Sequence, residues 1–352
     1  NNMKATLLRF WCTCMCLLFC LAAQAAEPDE VNKKEYEKSF PANKSDELFI
    51  SNKYGGITIT HWDKAEVAFR VVVEVKSRNE QDNKRNLDRI KIKFDKQGNV
   101  ISGITEMSDV SIRNGKLDIQ YYVSMPSWIS SKLEQHYGNI LMPVKNPARC
   151  QLTVKYGNIE GGSFEQPLQL EAKYSNVTLG ALQVGDFDLG YCGKATVQSA
   201  STLNADSKYS NLQVGEIDQL ALELKYGQLE AEKVQSMTAD VKYSTCKIGY
   251  LSDDLKVESL DYSTLEMDEV NGKFKDIHVE ARYSAVKLAL PSSASFRVEG
   301  ENLKYGHCKL HGFEPSKSEK EKDAVYYEVN GGKNGSIYFD GGSYSNMNIR
   351  MK

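Results

Sequence analysis

The sequence predicts an all-β fold: a single-stranded parallel β-solenoid, a right-handed β-helix, with an antiparallel cap at its N-terminal end. Three observations predict it. First, a tyrosine commonly preceded by lysine and followed by serine or glycine recurs at Tyr137, Tyr156, Tyr174, Tyr191, Tyr209, Tyr226, Tyr243, Tyr262, Tyr283 and Tyr305, at gaps of 17 to 22 residues. Such a period marks one supersecondary unit stacked on the next. Second, apolar residues alternate three and five positions after the tyrosine (Val177 with Leu179, Leu212 with Val214, Leu265 with Met267) and two and four before it (Leu222 with Leu224, Ala239 with Val241), which is strand periodicity. Third, no helical pattern interrupts the units. They are too short for a propeller blade of ~40 residues and lack the leucine framework and helical return of a leucine-rich repeat. Right-handedness follows from the general sense of parallel β crossovers.

In chain order, the basic stretch from Met3 to Arg9, the apolar run 10–23 and the small-x-small triplet Ala23-Gln24-Ala25 make residues 1–25 a secretory signal peptide, cleaved between Ala25 and Ala26. The apolar run falls short of the ~20 residues of a membrane span, and no later segment approaches that length. Residues 26–46, polar and proline-bearing, read as a linker. Residues 47–130 read as a first coil around Tyr54 followed by an antiparallel β cap. There Val67, Phe69, Val71, Val73 and Val75 alternate in one strand and Ile90, Ile92 and Phe94 in another, with a short helix between Asn79 and Asp88. Asn114-Gly115 reads as a hairpin turn. Residues 131–312 are the solenoid repeats. Residues 313–352 hold a charged excursion from Pro315 to Asp323 and closing strands, with a late unit at Tyr344 at the far end.

Within a unit, the serine or glycine after the tyrosine shifts the inward phase by one and is read as the seat of the bend. Two positions past the tyrosine stand Asn139, Asn158, Asn176, Asn211, Gln228 and Thr245, side chains suited to a hydrogen-bonded corner ladder. The tyrosine column itself admits two readings, a structural stack or an exposed rail on which sugars stack, and spacing alone does not choose.

Lys155, Lys173, Lys208, Lys225, Lys242, Arg282 and Lys304 each precede a tyrosine and form a candidate binding face. Two residues earlier stand Glu171, Asp188, Asp206, Glu223, Asp240 and Glu280, so the two stripes compensate each other, each exposed pair contributing roughly 0.2–1 kcal/mol. The functional alternative is a surface patterned for an acidic glycan. The formal net charge of -3 becomes -5 once Lys4 and Arg9 leave with the signal, which disfavours nucleic acid as a partner.

After signal removal four cysteines remain, Cys150, Cys192, Cys246 and Cys308, and they read as free core thiols. Cys246 and Cys308 share one column three coils apart, roughly 14 Å at ~4.8 Å per coil, beyond the ~7 Å that a disulfide spans. No spacing suggests a metal or cofactor. Asp253-Asp254 and Gly306-His307 invite comparison with the acidic pair and histidine of polygalacturonases, but the full motif set is absent and Asp254 and His307 fall about three coils apart.

Asn52-Lys53-Tyr54-Gly55-Gly56-Ile57, the run from Ile119 to Pro126 leading into His136-Tyr137-Gly138-Asn139-Ile140, and the serial Lys-Tyr-Ser/Gly units resemble the putative-adhesin β-strand-repeat family of Gram-negative envelope proteins, a domain of unknown function, over residues 47 to 350. The resemblance implies a β-solenoid and an envelope location and supplies no catalytic residue. The expectation is an exported, non-catalytic module of the periplasm or cell envelope, surface-borne or secreted, with no transmembrane span in the mature chain. It presents a flat face to a glycan or an envelope protein. A polysaccharide-acting β-helix enzyme and a structural periplasmic scaffold are the alternatives.

Overall fold

A computed structural model describes residues 30–77, 79–112 and 115–352, so the expected cleavage point at Ala25 and Ala26 lies outside the described residues. The described chain is all-β with one helix, Glu80–Asp88. The helix is started by Asn79, whose side chain accepts from the Asp82 backbone, and carries Glu80 and Asp82 in its first turn, where carboxylates suit the exposed N–H groups.

The repeating element is one long strand per unit. Asn176–Gly190 pairs in parallel with Lys194–Lys208, Asn176 opposite Lys194 and Gly190 opposite Lys208. Fifteen extended residues would reach ~50 Å at ~3.3 Å each, yet only residues 191–193 join one strand to the next. The strand must therefore curve through a circuit that brings its end back beside its start. The same relation carries on to Asn211–Lys225, Gln228–Lys242 and Thr245–Asp261.

Each circuit turns its alternate apolar side chains inward, and in-register stacking makes them columns. Leu212, Leu229, Cys246, Leu265 and Val286 lie opposite one another on successive rungs. All five are fully buried, and so are the flanking pairs named from the sequence, among them Leu222 with Leu224 and Val177 with Leu179. Cys150, Cys192, Cys246 and Cys308 are free, buried thiols.

At the N-terminal end, Glu47–His61 pairs in parallel with Ser130–Leu141. On its other side it meets Val100–Met107 along its first half and Lys116–Met125 along its second. Antiparallel neighbours cover this end: Glu66–Ser77 against Lys116–Met125, and Ile90–Gln97 against Val100–Met107. Two expectations are corrected here. The supposed linker contains a 12-residue strand, Glu30–Pro41, paired antiparallel with Glu66–Ser77. Its charges hid it, because an outermost strand tolerates charged residues and a terminal proline, while Tyr36 and Phe40 pack against the core. The hairpin does not form as expected: Asn114 lies outside the described residues, and the strands on either side of it run end to end along Glu47–His61.

At the other end, order in space departs from order in the chain. Asn346–Met351 lies between Ala285–Leu290 and His307–His311, parallel to both. Gly335–Asp340 likewise lies between Asp276–Arg282 and Phe296–Glu301. The Tyr344 unit, expected to close the far end, is thus inserted before the Tyr305 unit. Cys246 and Cys308 are consequently separated by Leu265, Val286 and Met347, one rung more than the sequence suggests. The outer side of Phe296–Glu301 is covered by Val325–Val329, itself paired with Lys317–Lys320, both antiparallel.

Candidate functional site

The most regular surface feature begins at the corner between circuits. The repeated tyrosine itself occupies left-handed backbone, with φ between 49° and 63° at all twelve corners from Tyr54 to Tyr344. The bend therefore sits at the tyrosine and not, as the spacing suggests, at the residue after it. For an L-residue this conformation costs roughly 1–2 kcal/mol. The tyrosine N–H still donates to the neighbouring rung, as from Tyr209 to the Lys225 carbonyl at 2.9 Å.

Where the following residue is serine it is buried and repairs the ladder. Ser263 donates its hydroxyl to the Asp261 carbonyl (2.7 Å) and accepts from the Ser244 backbone N–H (3.0 Å). Ser284 does the same for Arg282 (2.8 Å) and Ser263 (3.0 Å). Serine thus satisfies backbone groups that the corner removes from strand pairing. Where glycine stands instead, backbones touch: a Cβ on Gly157 would lie 1.7 Å from the Gly138 carbonyl oxygen.

Left-handed corners throw the tyrosine rings outward into one file. Twelve rings stack in the spatial order Tyr54, Tyr137, Tyr156, Tyr174, Tyr191, Tyr209, Tyr226, Tyr243, Tyr262, Tyr283, Tyr344, Tyr305, with centroids 4.8–5.5 Å apart and planes within 15°. The rings are 39–67% exposed. The exposed part is edge and hydroxyl, because each interior ring has a neighbour against both faces. Sugar stacking on those faces is therefore blocked. At the far end Lys304 lies over the Tyr305 ring, 5.3 Å from its centroid.

The candidate basic face runs along one flank of this rail, and from Lys155 to Arg282 it is paired. Lys155 and Lys173 both reach Glu171 (3.5 and 3.0 Å), Lys173 also reaches Asp188 (3.5 Å), Lys208 meets Asp206 (2.7 Å) and Lys225 meets Glu223 (3.6 Å). Hydrogen bonding from Lys173 holds the Glu171 carboxyl below its ordinary value. On the Tyr262 rung the lysine position holds Asp261, clamped from both sides by Lys242 (3.9 Å) and a two-pronged Arg282 (2.9 and 2.8 Å). Burial pushes the Asp261 carboxyl up, but hydrogen bonds from Arg282 and Ser259 outweigh it and leave the carboxyl below its ordinary range. Beyond the lysines, the carboxylates of Glu171, Asp188, Asp206, Glu223 and Asp240 line an open groove of about 660 Å³.

The other flank is an amide ladder in part. Asn158 donates to Asn139 (2.9 Å) and Asn176 to Asn158 (3.1 Å), whereas Asn211 turns to the Gly193 carbonyl (3.1 Å). The polygalacturonase-like residues are dispersed among structural partners: Asp253 accepts from Gln235 and Lys275, Asp254 from Ser236, and His307 bonds Asn348. Among the described residues no cluster of three or more His, Cys, Asp or Glu is placed to hold a metal, and no helix is long and apolar enough to cross a membrane.

No protein-family model and no curated protein matches this chain. Among solved structures it is similar to a putative adhesin from Parabacteroides distasonis ATCC 8503, at 11% identity over 73% of this chain and 93% of that one, with a TM-score of 0.33. A putative lipid binding protein from the same organism matches at 10% identity over 73% and 93%, with a TM-score of 0.32. A putative cell adhesion protein from Clostridium sporogenes ATCC 15579 matches at 11% identity over 91% and 100%, with a TM-score of 0.20.

Proposed function

We propose that this chain is an exported, non-catalytic right-handed β-solenoid of a Gram-negative envelope, an adhesin-like module whose tyrosine rail binds an extended glycan. In this reading residues 1–25 direct export, residues 47–130 cap the repeats of 131–312, and 313–352 complete the far end. The observation that carries it is the rail: twelve half-exposed phenols in one file, about 53 Å long at the ~4.8 Å strand spacing. Glycine would turn these corners without strain, and phenylalanine would stack as well. The hydroxyls add nothing to the stack, and they face water.

A glycan suits this face better than a protein. Protein interfaces bury an apolar centre, whereas the rail is bordered by paired charges on one side and amides on the other. The basic residues from Lys155 to Arg282 act here as flanking hydrogen-bond donors, their charge being compensated by neighbouring carboxylates, while Lys304 lies over the Tyr305 ring.

The test is a glycan array probed with residues 26–352 and with a variant carrying Tyr191→Asn, Tyr209→Asn and Tyr226→Asn. Asparagine tolerates the left-handed corner, so the variant keeps its backbone while losing three phenols. Binding by the parent that the variant loses, without release of reducing ends from the bound polysaccharide, supports the proposal. Undiminished binding by the variant, no binding to any glycan, or release of reducing ends overturns it.

A further inference from the structure

The repeat length of the rail selects among glycans. From Tyr54 to Tyr283 successive ring centroids are 4.8–5.1 Å apart and their planes lie within 9°. Rings this nearly parallel carry their hydroxyls forward by nearly the same step. Resting on the glycan reading above, we infer that the rail takes a β-1,4-linked pyranose chain laid along the rod, one sugar per tyrosine.

Three features point to that linkage. An extended β-1,4-linked chain advances per sugar by almost the rung spacing and turns alternate sugars over, so the same edge of the ribbon returns at every second tyrosine. An α-1,4-linked glucan coils and advances less per sugar, and it leaves the file within a few rungs. An extended polypeptide advances about 3.3 Å per residue and about 6.6 Å between like-facing side chains, out of step with the rungs.

The chemistry of the exposed surface agrees. An aromatic ring is electropositive at its edge and electronegative at its face. With the faces covered by neighbouring rings, the rail offers C–H edges and phenol hydroxyls, which attract ring oxygens, glycosidic oxygens and sugar hydroxyls. The ammonium groups of Lys173, Lys208 and Lys225 lie along one flank, each with protons beyond those given to its carboxylate. The side chains of Asn158 and Asn176 lie along the other.

Titration calorimetry on residues 26–352 with cello-oligosaccharides of three to six sugars, chitohexaose and maltohexaose tests the linkage. Affinity should rise about threefold with each added β-1,4-linked sugar, and maltohexaose should bind roughly tenfold more weakly than cellohexaose. Cellohexaose and chitohexaose together separate a plain glucan from an amino-sugar backbone, and tighter binding of either supports the linkage. A variant carrying Tyr191→Phe, Tyr209→Phe and Tyr226→Phe, which keeps the stack and removes three hydroxyls, should lose about tenfold in affinity for the better hexaose. Equal affinity for α- and β-linked hexaoses, no gain with length, or an unchanged Phe variant overturns the inference. Array binding confined to an α-linked glycan and abolished in the Asn variant would sink the linkage while leaving the rail a glycan site. No glycan binding at all sinks both.

Discussion

At Tyr226, replacement by glycine should leave a more stable protein than replacement by alanine, the reverse of the usual order inside a β-sheet. Tyr226 has φ of 55° and its ring lies between Tyr209 at 4.9 Å and Tyr243 at 5.1 Å. Either substitution removes two ring stacks, each contributing about 0.5–1.5 kcal/mol beyond area burial, so both variants should lose about 1–3 kcal/mol. Alanine additionally keeps the left-handed penalty of roughly 1–2 kcal/mol. Glycine escapes it, at an unfolded-state entropy cost of about 0.5–1 kcal/mol. The difference favours glycine by about 0.5–1 kcal/mol. Urea unfolding of the parent and both variants measures the order, and hydrogen exchange on the adjoining rungs localises the loss, since stacked units feel mainly their neighbours. An alanine variant equal to or more stable than the glycine variant would refute the left-handed corner.

The interior register is tested by Leu229→Asp, which puts a carboxylate between Leu212 and Cys246 in a fully buried column and should cost several kcal/mol, while Glu230→Ala on the outward face should cost under ~1 kcal/mol. Equal loss of exchange protection from the two would mean the faces are reversed. All four thiols of residues 26–352 should react with iodoacetamide in denaturant, whereas in the folded protein at pH 8 Cys246 should resist, because burial shields it and pushes its thiol up to about 12. A denatured, non-reduced count below four would contradict the column spacing. Asp261 is held below its ordinary range by Arg282 and Ser259, so its stabilising contribution is complete above about pH 4 and falls as pH drops further. Asp261→Asn should flatten the acid limb of a stability-against-pH curve, and an unchanged slope would show that the clamp contributes nothing.

The interior was legible because burial writes itself as alternation: Leu212 with Val214 and Leu265 with Met267 face inward as their spacing implies. The corner was half legible. The phase slip was visible, but local preference assigns a bend to glycine or serine. What offsets strain at tyrosine is a ring 17 or more residues away, a contact that local propensity does not register. The strand Glu30–Pro41 was hidden by the charges that an edge permits. The basic stripe and its acidic companion were legible as columns. The inversion at Asp261, where a carboxylate takes the lysine position between Lys242 and Arg282, appears only when rungs are stacked. The order of Tyr344 and Tyr305 could not be read from period at all, since both units carry the same pattern.

That exchange of order opposes the direction of synthesis. Residues 296–311 leave the ribosome before 335–351, yet in the folded sheet they sit outside them. A chain emerging from its N-terminus has every reason to dock the Tyr305 rung directly on the Tyr283 rung, the same shape being presented. It must either hold that rung off or expel it when the later segment arrives. Assembly of this end therefore finishes in one of two ways: the Tyr305 rung docks last, or the Tyr344 segment intercalates beneath it. An early-docked rung would be a register error with near-native contacts, released only by reopening that end of the sheet.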